Sequence, residues 1–257
     1  MSENDARLRG RCALITGASG GIAAATARRF AREGARLALS DLNPAGAEGV
    51  AREIRQQGGS ATVITADVTK AGPVDAMVKS AVDAMGALDI LVTCAGGYTS
   101  YAKFEEIAED DWDRVIALNL KSVYLCCKAV LPAMRARGFG RIINLGSLAG
   151  RSTSAGTSPA HYGTAKAAVS MLTQYVAKDV APFGITANTV APGTTATERV
   201  EKLLTPEKRK AFTAATPVGA LAQPDDIVGI ITFLASEESR YITGATIDVN
   251  GGRLMLV

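Results

Sequence analysis

The chain has 257 residues, with 28 basic and 25 acidic side chains and 47% hydrophobic residues. A disordered chain would be poorer in apolar residues and more unbalanced in charge, so this composition excludes intrinsic disorder. The formal net charge of +3 is small. Because the basic residues are also scattered rather than arranged in a stripe, the composition indicates no nucleic-acid partner.

Cysteine usage and the N-terminal residues bear on the cellular compartment. Cys12, Cys94, Cys126 and Cys127 form no C-x-x-C pair, which predicts neither structural disulfides nor zinc and fits a reducing compartment. Residues 1–11 are polar and charged, and they lack the apolar run of a signal peptide. No uncharged apolar run reaches about 18 residues, so no membrane span is predicted. We therefore expect a cytoplasmic protein without a membrane partner.

Short apolar runs alternate along the chain with longer segments of helical periodicity. The short runs are mostly continuous in apolar residues rather than alternating, as strands buried on both faces require. The predicted strands cover residues 12–16, 36–40, 61–66, 88–93, 141–145, 185–190 and 245–249. The predicted helices cover residues 21–33, a segment ending near 58–59, residues 71–85, 111–135 and 160–181, and helical pieces within 197–214 and 225–235.

This alternation predicts an α/β fold, because strands separated by helices form right-handed units with parallel strands. We expect a Rossmann-like, doubly wound sheet of seven parallel strands with helices on both faces. No linker rich in Pro, Gly or Ser and no repeat interrupts the chain, so residues 1–257 are predicted to form a single domain. Residues 194–224 are charged and contain three prolines, and we predict a mobile substrate-loop region there.

A glycine-rich turn follows the first predicted strand. Gly17, Ser19, Gly20, Gly21 and Ile22 stand between that strand and the first helix. Glycines allow positive φ and a close approach of the backbone to an anion, and a helix N-terminus offers free N–H groups. An isolated glycine cluster would indicate only an ordinary turn. In the first turn between strand and helix, it predicts a site for the pyrophosphate of a dinucleotide.

Asp41 ends the second predicted strand, about 20 residues after Gly21. In dinucleotide-binding folds an acidic residue at this spacing binds the ribose hydroxyls of NAD. A 2′-phosphate there would meet a like charge, and Leu42 rather than an arginine follows. The sequence therefore predicts NAD rather than NADP. The alternative is that Asp41 only caps a helix or a turn.

Tyr162 and Lys166 are four residues apart in a predicted helix and therefore share one face. An ordinary tyrosine has a pKa near 10, and we expect the nearby ammonium group to lower it. Ser147 follows the fifth predicted strand, at the sheet edge where ligands bind in open α/β folds. These residues predict an acid/base site, although the same Tyr–Lys spacing also occurs on surface helices. His161 is rotated from Tyr162 by about 100° around the helix axis, so we expect it to be structural or part of the pocket rim, and not the general base.

These motifs resemble those of the short-chain dehydrogenase/reductase family, from about Arg9 to Gly252. The resemblance implies a catalytic tetrad of Asn119, Ser147, Tyr162 and Lys166. The cofactor contacts that it implies come from Gly17, Ser19, Gly20, Gly21, Ile22, Asp41, Leu42, Asp67, Val68, Cys94, Ala95, Gly96, Tyr162, Lys166, Pro192, Gly193, Thr195 and Thr197.

The chain departs from the family pattern at two positions. Ala23 replaces the usual third glycine of the loop, and the added methyl group should leave cofactor binding intact. Cys94 stands where the family usually has asparagine, and a thiol is a weaker hydrogen-bonding group than an amide. Neither departure affects the reacting atoms.

By resemblance, Tyr162 exchanges a proton with the substrate oxygen while hydride passes between the substrate and NAD. Ser147 hydrogen-bonds that oxygen. Lys166 holds the nicotinamide ribose and lowers the Tyr162 pKa, and Asn119 kinks its helix and anchors a water. No metal is implied. The expected function is the NAD(H)-dependent interconversion of a secondary alcohol and a ketone.

The substrate is expected to be a sugar, a polyol or a hydroxy acid, since Tyr98, Tyr101 and the Ser/Thr-rich residues 152–158 predict a moderately polar pocket. One alternative is a 3-oxoacyl-(acyl-carrier-protein) reductase, with Arg135 and Arg137 as docking charges. Another is a dinucleotide-binding regulator without turnover.

The chain ends in four apolar residues, 254–257. Burial of each would contribute about 1.5–3 kcal/mol, which predicts that they pack in a subunit interface. The family resemblance implies a homotetramer.

Overall fold

A computed structural model describes residues 6–153 and 158–256. Within these residues, seven parallel strands form one sheet in the order β3-β2-β1-β4-β5-β6-β7. The strands are β1 Cys12–Thr16, β2 Arg36–Asp41, β3 Ser60–Thr65, β4 Ile90–Thr93, β5 Gly140–Leu145, β6 Ile185–Pro192 and β7 Thr246–Val249. The helices are α1 Gly21–Arg32, α2 Pro44–Gln56, α3 Ala71–Met85, α4 Glu109–Ile116, α5 Ser122–Arg137, α6 Ala160–Val180, α7 Glu198–Glu201, α8 Pro206–Ala214 and α9 Pro224–Ala235. The predicted fold class is confirmed.

Helices cover both faces of the sheet, and the side chains of β1 pack against the helices on each face. Ala13 and Ile15 lie in one apolar cluster together with side chains of α1, α2 and α9. Cys12 and Leu14 lie in a second cluster with side chains of α3, α5 and α6. Successive side chains of a strand point to opposite faces, so a strand between two helical layers must be apolar throughout.

The strand order reverses between β1 and β4. From β1 the chain builds outward through β2 to β3, and it then returns to place β4 on the other side of β1. Open α/β sheets bind ligands in the crevice beyond the carboxyl ends of the strands at such a reversal. The turn after β1 and the segment after β4 therefore lie side by side at this crevice.

The predicted helix over residues 111–135 is interrupted at its centre. Between α4 and α5, residues Ala117–Lys121 form a π-helical turn. Asn119 Nδ2 donates to Val115 O, four residues back, at 2.8 Å, and Ser122 Oγ donates to Leu118 O. Polar side chains that bond backbone carbonyls of the preceding turn change the local helix geometry. The widened turn lies where a kink is expected at Asn119.

The helical run Glu109–Arg137 is long and apolar enough, by length and composition alone, to cross a membrane. In the fold, 44% of its most apolar window is buried. Val123, Cys126 and Val130 lie in the second apolar cluster, against the sheet and the neighbouring helices. This burial is typical of the core helix of a globular fold.

Candidate active site

The candidate residues lie along one edge of the sheet, because parallel strands place their carboxyl ends together. The glycine loop follows β1, Asp41 ends β2, and Asp67 and Val68 follow β3. The remaining candidates come after β4, β5 and β6 or project from α6 and the π turn: Cys94, Ala95, Gly96, Asn119, Ser147, Tyr162, Lys166, Pro192, Gly193, Thr195 and Thr197.

The glycine loop combines one tightly packed position with one open position. Gly17 has φ 71°, and a Cβ there would lie 2.8 Å from the backbone nitrogen of Ala95. Gly20 has extended backbone, and a Cβ there would meet no atom within 4 Å. Helix α1 begins at Gly21 with no hydrogen bond from a capping side chain. The loop therefore fits an anionic group such as a pyrophosphate, which the first N–H groups of α1 would bind.

Asp41 ties the glycine loop to the end of β2. Its Oδ2 accepts from Ser19 N at 2.9 Å, and its Oδ1 accepts from Asn43 N at 2.8 Å. The side chain that caps α2 belongs to Asn43, whose Oδ1 accepts from Gly46 N. A carboxylate has about four lone-pair sites, so Asp41 keeps capacity for further donors such as ribose hydroxyls. The next residue, Leu42, is 64% exposed.

Asp67 and Val68 form a turn after β3. Asp67 Oδ1 accepts from Thr69 N at 3.0 Å and from Thr69 Oγ1 at 2.6 Å. These hydrogen bonds lower the pKa of Asp67. Val68 is buried in the second apolar cluster.

The two departures from the family pattern have different surroundings. Ala23 is buried in the first apolar cluster, so its methyl group is accommodated between α1 and the sheet. Cys94 is partly buried just after β4, and burial raises the pKa of its thiol to about 12. Cys94 is therefore a neutral thiol near neutral pH.

Tyr162 lies beside Ser147 and Tyr98. The Tyr98 and Tyr162 ring centroids are 4.8 Å apart, with the ring planes tilted by 58°. Burial, followed by the neighbouring Tyr98, raises the pKa of Tyr162, whereas the Ser147 hydroxyl and the charge of Arg199 lower it. The expected net lowering of this pKa by Lys166 is therefore wrong for this structure, because desolvation of the phenolate outweighs the groups that favour it.

Lys166 is buried one helical turn along α6. Its Nζ donates to Leu145 O at 2.7 Å and lies 5.9 Å from the centroid of the Tyr162 ring. Burial lowers the pKa of Lys166 to about 8. The amine is thus bonded to the end of β5, and its charge is not directed at the phenol alone.

Asn119 connects the π turn to the segment after β4. Its Oδ1 accepts from Gly97 N at 2.6 Å, and its Nδ2 donates to Gly97 O at 2.8 Å. A Cβ at Gly96 would lie 2.8 Å from Asn119 Oδ1 and 3.3 Å from Lys166 Nζ. The Asn119 amide therefore orders the backbone beside the Lys166 amine, a contact that the sequence does not indicate.

His161 and Trp112 lie away from the reacting side chains. His161 is fully buried, its ring is stacked on Trp112 with centroids 6.3 Å apart, and Nε2 is 3.2 Å from Asp111 Oδ2. This arrangement confirms the structural role expected for His161.

Arg199 is the residue at the site that the sequence analysis missed. Its Nη1 donates to Gly96 O at 3.0 Å, and its Nη2 donates to Tyr98 O. The chain separation of 103 residues between Arg199 and Gly96 leaves no local pattern that could reveal the contact.

In residues 6–153 and 158–256, no group of three or more His, Cys, Asp and Glu side chains is arranged to hold a metal ion.

Comparison with protein families and curated proteins gives full-length matches. Residues 17–253 match the family described as "Enoyl-(Acyl carrier protein) reductase". The chain is 39% identical over 246 residues to the 2,5-dichloro-2,5-cyclohexadiene-1,4-diol dehydrogenase of Sphingobium indicum. This match covers 96% of this chain and 97% of that protein. The chain is 39% identical over 260 residues to the cyclohexanol dehydrogenase of Rhodococcus sp., covering 95% of this chain and 96% of that protein.

Two further matches extend over the same region. The chain is 39% identical over 249 residues to the 3-oxoacyl-(acyl-carrier-protein) reductase FabG of Vibrio cholerae, with coverage of 97% and 99%. The crystal structure of a short-chain type dehydrogenase/reductase from Mycobacterium marinum has a TM-score of 0.93 and 33% identity, covering 98% of this chain and 99% of that chain.

The two contrasting glycines lead to a prediction for the loop. Gly17→Ala should lower the free energy of unfolding by about 2–4 kcal/mol, because its Cβ meets the Ala95 backbone and its φ is positive. Gly20→Ala should change that free energy by less than about 0.5 kcal/mol and weaken the binding of a reduced nicotinamide dinucleotide about tenfold by filling the open cradle. Urea denaturation and fluorescence titration with NADH and with NADPH measure the two effects. Equal losses of stability in the two variants would contradict this assignment.

Proposed function

The chain belongs to the short-chain dehydrogenase/reductase family, and on that basis we propose that it is an NAD(H)-dependent oxidoreductase that interconverts a secondary alcohol and a ketone. Enzymes of this family use a nicotinamide dinucleotide and act on alcohol and ketone groups. The observation that carries the proposal is the buried Tyr162 phenol, which lies on the helix face that also bears Lys166 and close enough to Ser147 for that hydroxyl to lower its pKa.

Tyr162 is the proposed acid and base. In alcohol oxidation its phenolate oxygen takes the proton of the substrate hydroxyl, and in ketone reduction its phenol returns that proton. The Ser147 hydroxyl donates to the substrate oxygen and holds it beside Tyr162. A nicotinamide, when bound, supplies the hydride acceptor or donor. Lys166 would hold the ribose hydroxyls, and Asn119 keeps residues 96–97 ordered beside that amine.

The cofactor groove would use the residues along the carboxyl edge. The glycine loop and the start of α1 would bind the pyrophosphate, and Asp41 would accept hydrogen bonds from the adenosine ribose. Asp67 and Val68 would contact adenine, and the segment from Pro192 to Thr197 would hold the nicotinamide carboxamide. The negative charge at Asp41 supports NAD over NADP, because a 2′-phosphate would be repelled there.

The substrate pocket would extend from Tyr162 toward the end of β5 and the start of α6. A cavity of about 560 Å³ lies between residues 149–153 and the start of α6, and its lining includes Tyr101, Phe104, Ser152, Thr153 and Gly163, the residue next to Tyr162. Aromatic and hydroxyl-bearing walls support a polar substrate of small-molecule size, such as a sugar, a polyol or a hydroxy acid. The names of two relatives, a cyclohexadienediol dehydrogenase and a cyclohexanol dehydrogenase, support a ring alcohol of that size. Residues 154–157 lie outside the described residues.

A carrier-protein reductase is the second candidate, favoured by the similarity to FabG of Vibrio cholerae. The suggested docking charges do not support it. Arg137 pairs with Asp89 at 2.9 Å, and the Arg135 guanidinium lies 4.6 Å from the Phe183 ring centroid. Both arginines precede β5, at the amino edge of the sheet, opposite to the proposed pocket. A regulator without turnover would need only the cofactor groove, and it would not require Asn119, Ser147, Tyr162 and Lys166 together at the carboxyl edge of the sheet.

Replacement of Tyr162 tests the proposed chemistry. Tyr162→Phe should lower turnover about 10³-fold while NADH binding stays within about twofold, because only the proton-transferring oxygen is lost. Tyr241→Phe is a matched control, since Tyr241 is 99% exposed. The assay is NADH formation with cyclohexanols, sugars, polyols, hydroxy acids and steroids. Full activity of Tyr162→Phe on a substrate that the wild type oxidises would overturn the proposed mechanism.

Replacement of Asp41 tests the cofactor preference. Asp41→Asn keeps an oxygen that accepts from Ser19 N but removes the charge, whereas Asp41→Ala removes both. Both variants should bind NADPH more tightly relative to NADH, by about tenfold, and Asp41→Ala should also bind NADH more weakly. Titration with the two reduced cofactors measures the ratio. An unchanged ratio in both variants would refute the role of Asp41.

Assembly as a homotetramer is also proposed, and exposed apolar side chains support it. Met255 and Leu256 are 75% and 58% exposed in the single chain, and Met171 and Tyr175 on α6 are 54% and 66% exposed. Such surfaces favour association. Light scattering should give four times the 26.6 kDa of one chain, and Met255→Glu should reduce the assembled fraction. A wild-type mass of one chain would exclude the tetramer. Val257, the last of the four apolar residues, lies outside the described residues.

A cytoplasmic location stays a prediction from the sequence.

A further inference from the structure

Arg199 connects the loop region 194–224 to the segment that follows β4. Both of its described hydrogen bonds go to backbone carbonyls, those of Gly96 and Tyr98. Two bonds from one planar guanidinium specify its orientation as well as its position. The short helix α7 is therefore attached to the backbone beside the catalytic side chains.

Gly97 is shaped to receive this guanidinium. Its φ is 123°, and a Cβ built at this position would overlap the Arg199 guanidinium. Gly97 N and O are also bonded to the Asn119 amide. The arginine on one side and the asparagine on the other thus order the same short stretch of backbone.

Residues 96–98, the ordered stretch, contact Tyr162 through the side chain of Tyr98. Tyr98, whose carbonyl accepts from Arg199, has its ring 4.8 Å from the Tyr162 ring. The Arg199 charge also lowers the pKa of Tyr162, against the effect of burial. Arg199 therefore acts on Tyr162 in two ways, through the position of Tyr98 and through its own field.

We propose that Arg199 is a positioning residue that fastens α7 to residues 96–98, holds Tyr98 against Tyr162, and thereby sets how readily Tyr162 exchanges its proton. The inference rests on the proposed function, in which Tyr162 is the acid and base. It assigns a role in the reaction to a side chain outside the tetrad.

The direction of the pH effect follows from the groups that face the Tyr162 phenol. These are Lys166 on α6, Tyr98 after β4, Ser147 after β5 and Arg199 on α7. Alcohol oxidation needs the phenolate, so its rate rises with pH. A cation near the phenol favours the phenolate, and its removal should move this rise to higher pH.

The kinetic test compares three substitutions. Arg199→Met should lower kcat for alcohol oxidation at neutral pH about tenfold and move the rise of kcat to higher pH. Arg199→Lys keeps the charge but not the planar pair of donors, so it should keep the pH profile and restore only part of kcat. Lys210→Met is the matched control, because Lys210 lies in the same loop region, on α8, and its side chain is exposed. Its kinetics should equal those of the wild type.

A second measurement needs no turnover. Hydrogen exchange of the backbone amides at residues 96–98 and 198–201 should be faster in Arg199→Met than in the wild type and in Lys210→Met. Gly97→Ala should also make this exchange faster, because its Cβ would displace the guanidinium and its φ of 123° is strained for an alanine.

The outcomes separate this proposal from the proposed function. Unchanged exchange and an unchanged pH profile in Arg199→Met, with an active wild type, would overturn the role of Arg199 and leave the oxidoreductase intact. Absence of turnover in the wild type on every alcohol and ketone would overturn the proposed function. Faster exchange in Arg199→Met would then still support the fastening of α7, and unchanged exchange would refute it.

Discussion

The close approach of separate backbone segments at the end of β4 is the constraint on which the site depends. Three glycines make it possible. A Cβ at Gly17 would lie 2.8 Å from the backbone after β4, and one at Gly96 would lie 2.8 Å from the amide of the π turn. At Gly97 it would overlap the guanidinium that α7 supplies. Because no side chain occupies these spaces, the first loop, the π turn, α6 and α7 converge on one crevice.

Burial shifts the pKa values of the two residues that would move and stabilise the proton. Burial disfavours the charged form of either group, so it raises the pKa of Tyr162 and lowers that of Lys166 to about 8. Lys166 stays bonded to the carbonyl at the end of β5, while Ser147 and Arg199 favour the phenolate. Neighbouring groups, rather than the Tyr–Lys spacing alone, thus set the acidity of the phenol.

Residues next to one another in the chain were the most predictable part of the site. The position of the glycine loop in the first turn and of Asp41 at the end of β2 follow from strand periodicity and spacing. Periodicity and spacing do not predict the contacts that a side chain makes with a distant segment of the chain. Asp41 bonds to the loop that it follows by 22 residues, and the Asn119 amide bonds to Gly97, also 22 residues away. Periodicity records which face of an element is apolar, and it does not record which polar groups meet across elements.

The pattern of apolar runs and glycines was sufficient for the parallel α/β fold, the carboxyl-edge crevice and the helix face shared by Tyr162 and Lys166, since each follows from local geometry. Three-dimensional packing alone decided the bonding of the Asn119 amide to Gly97, the raised pKa of Tyr162 and the attachment of Arg199 to residues 96–98. Desolvation and hydrogen bonds between remote segments exist only after the chain has folded. Their strength depends on distances that no spacing along the chain encodes.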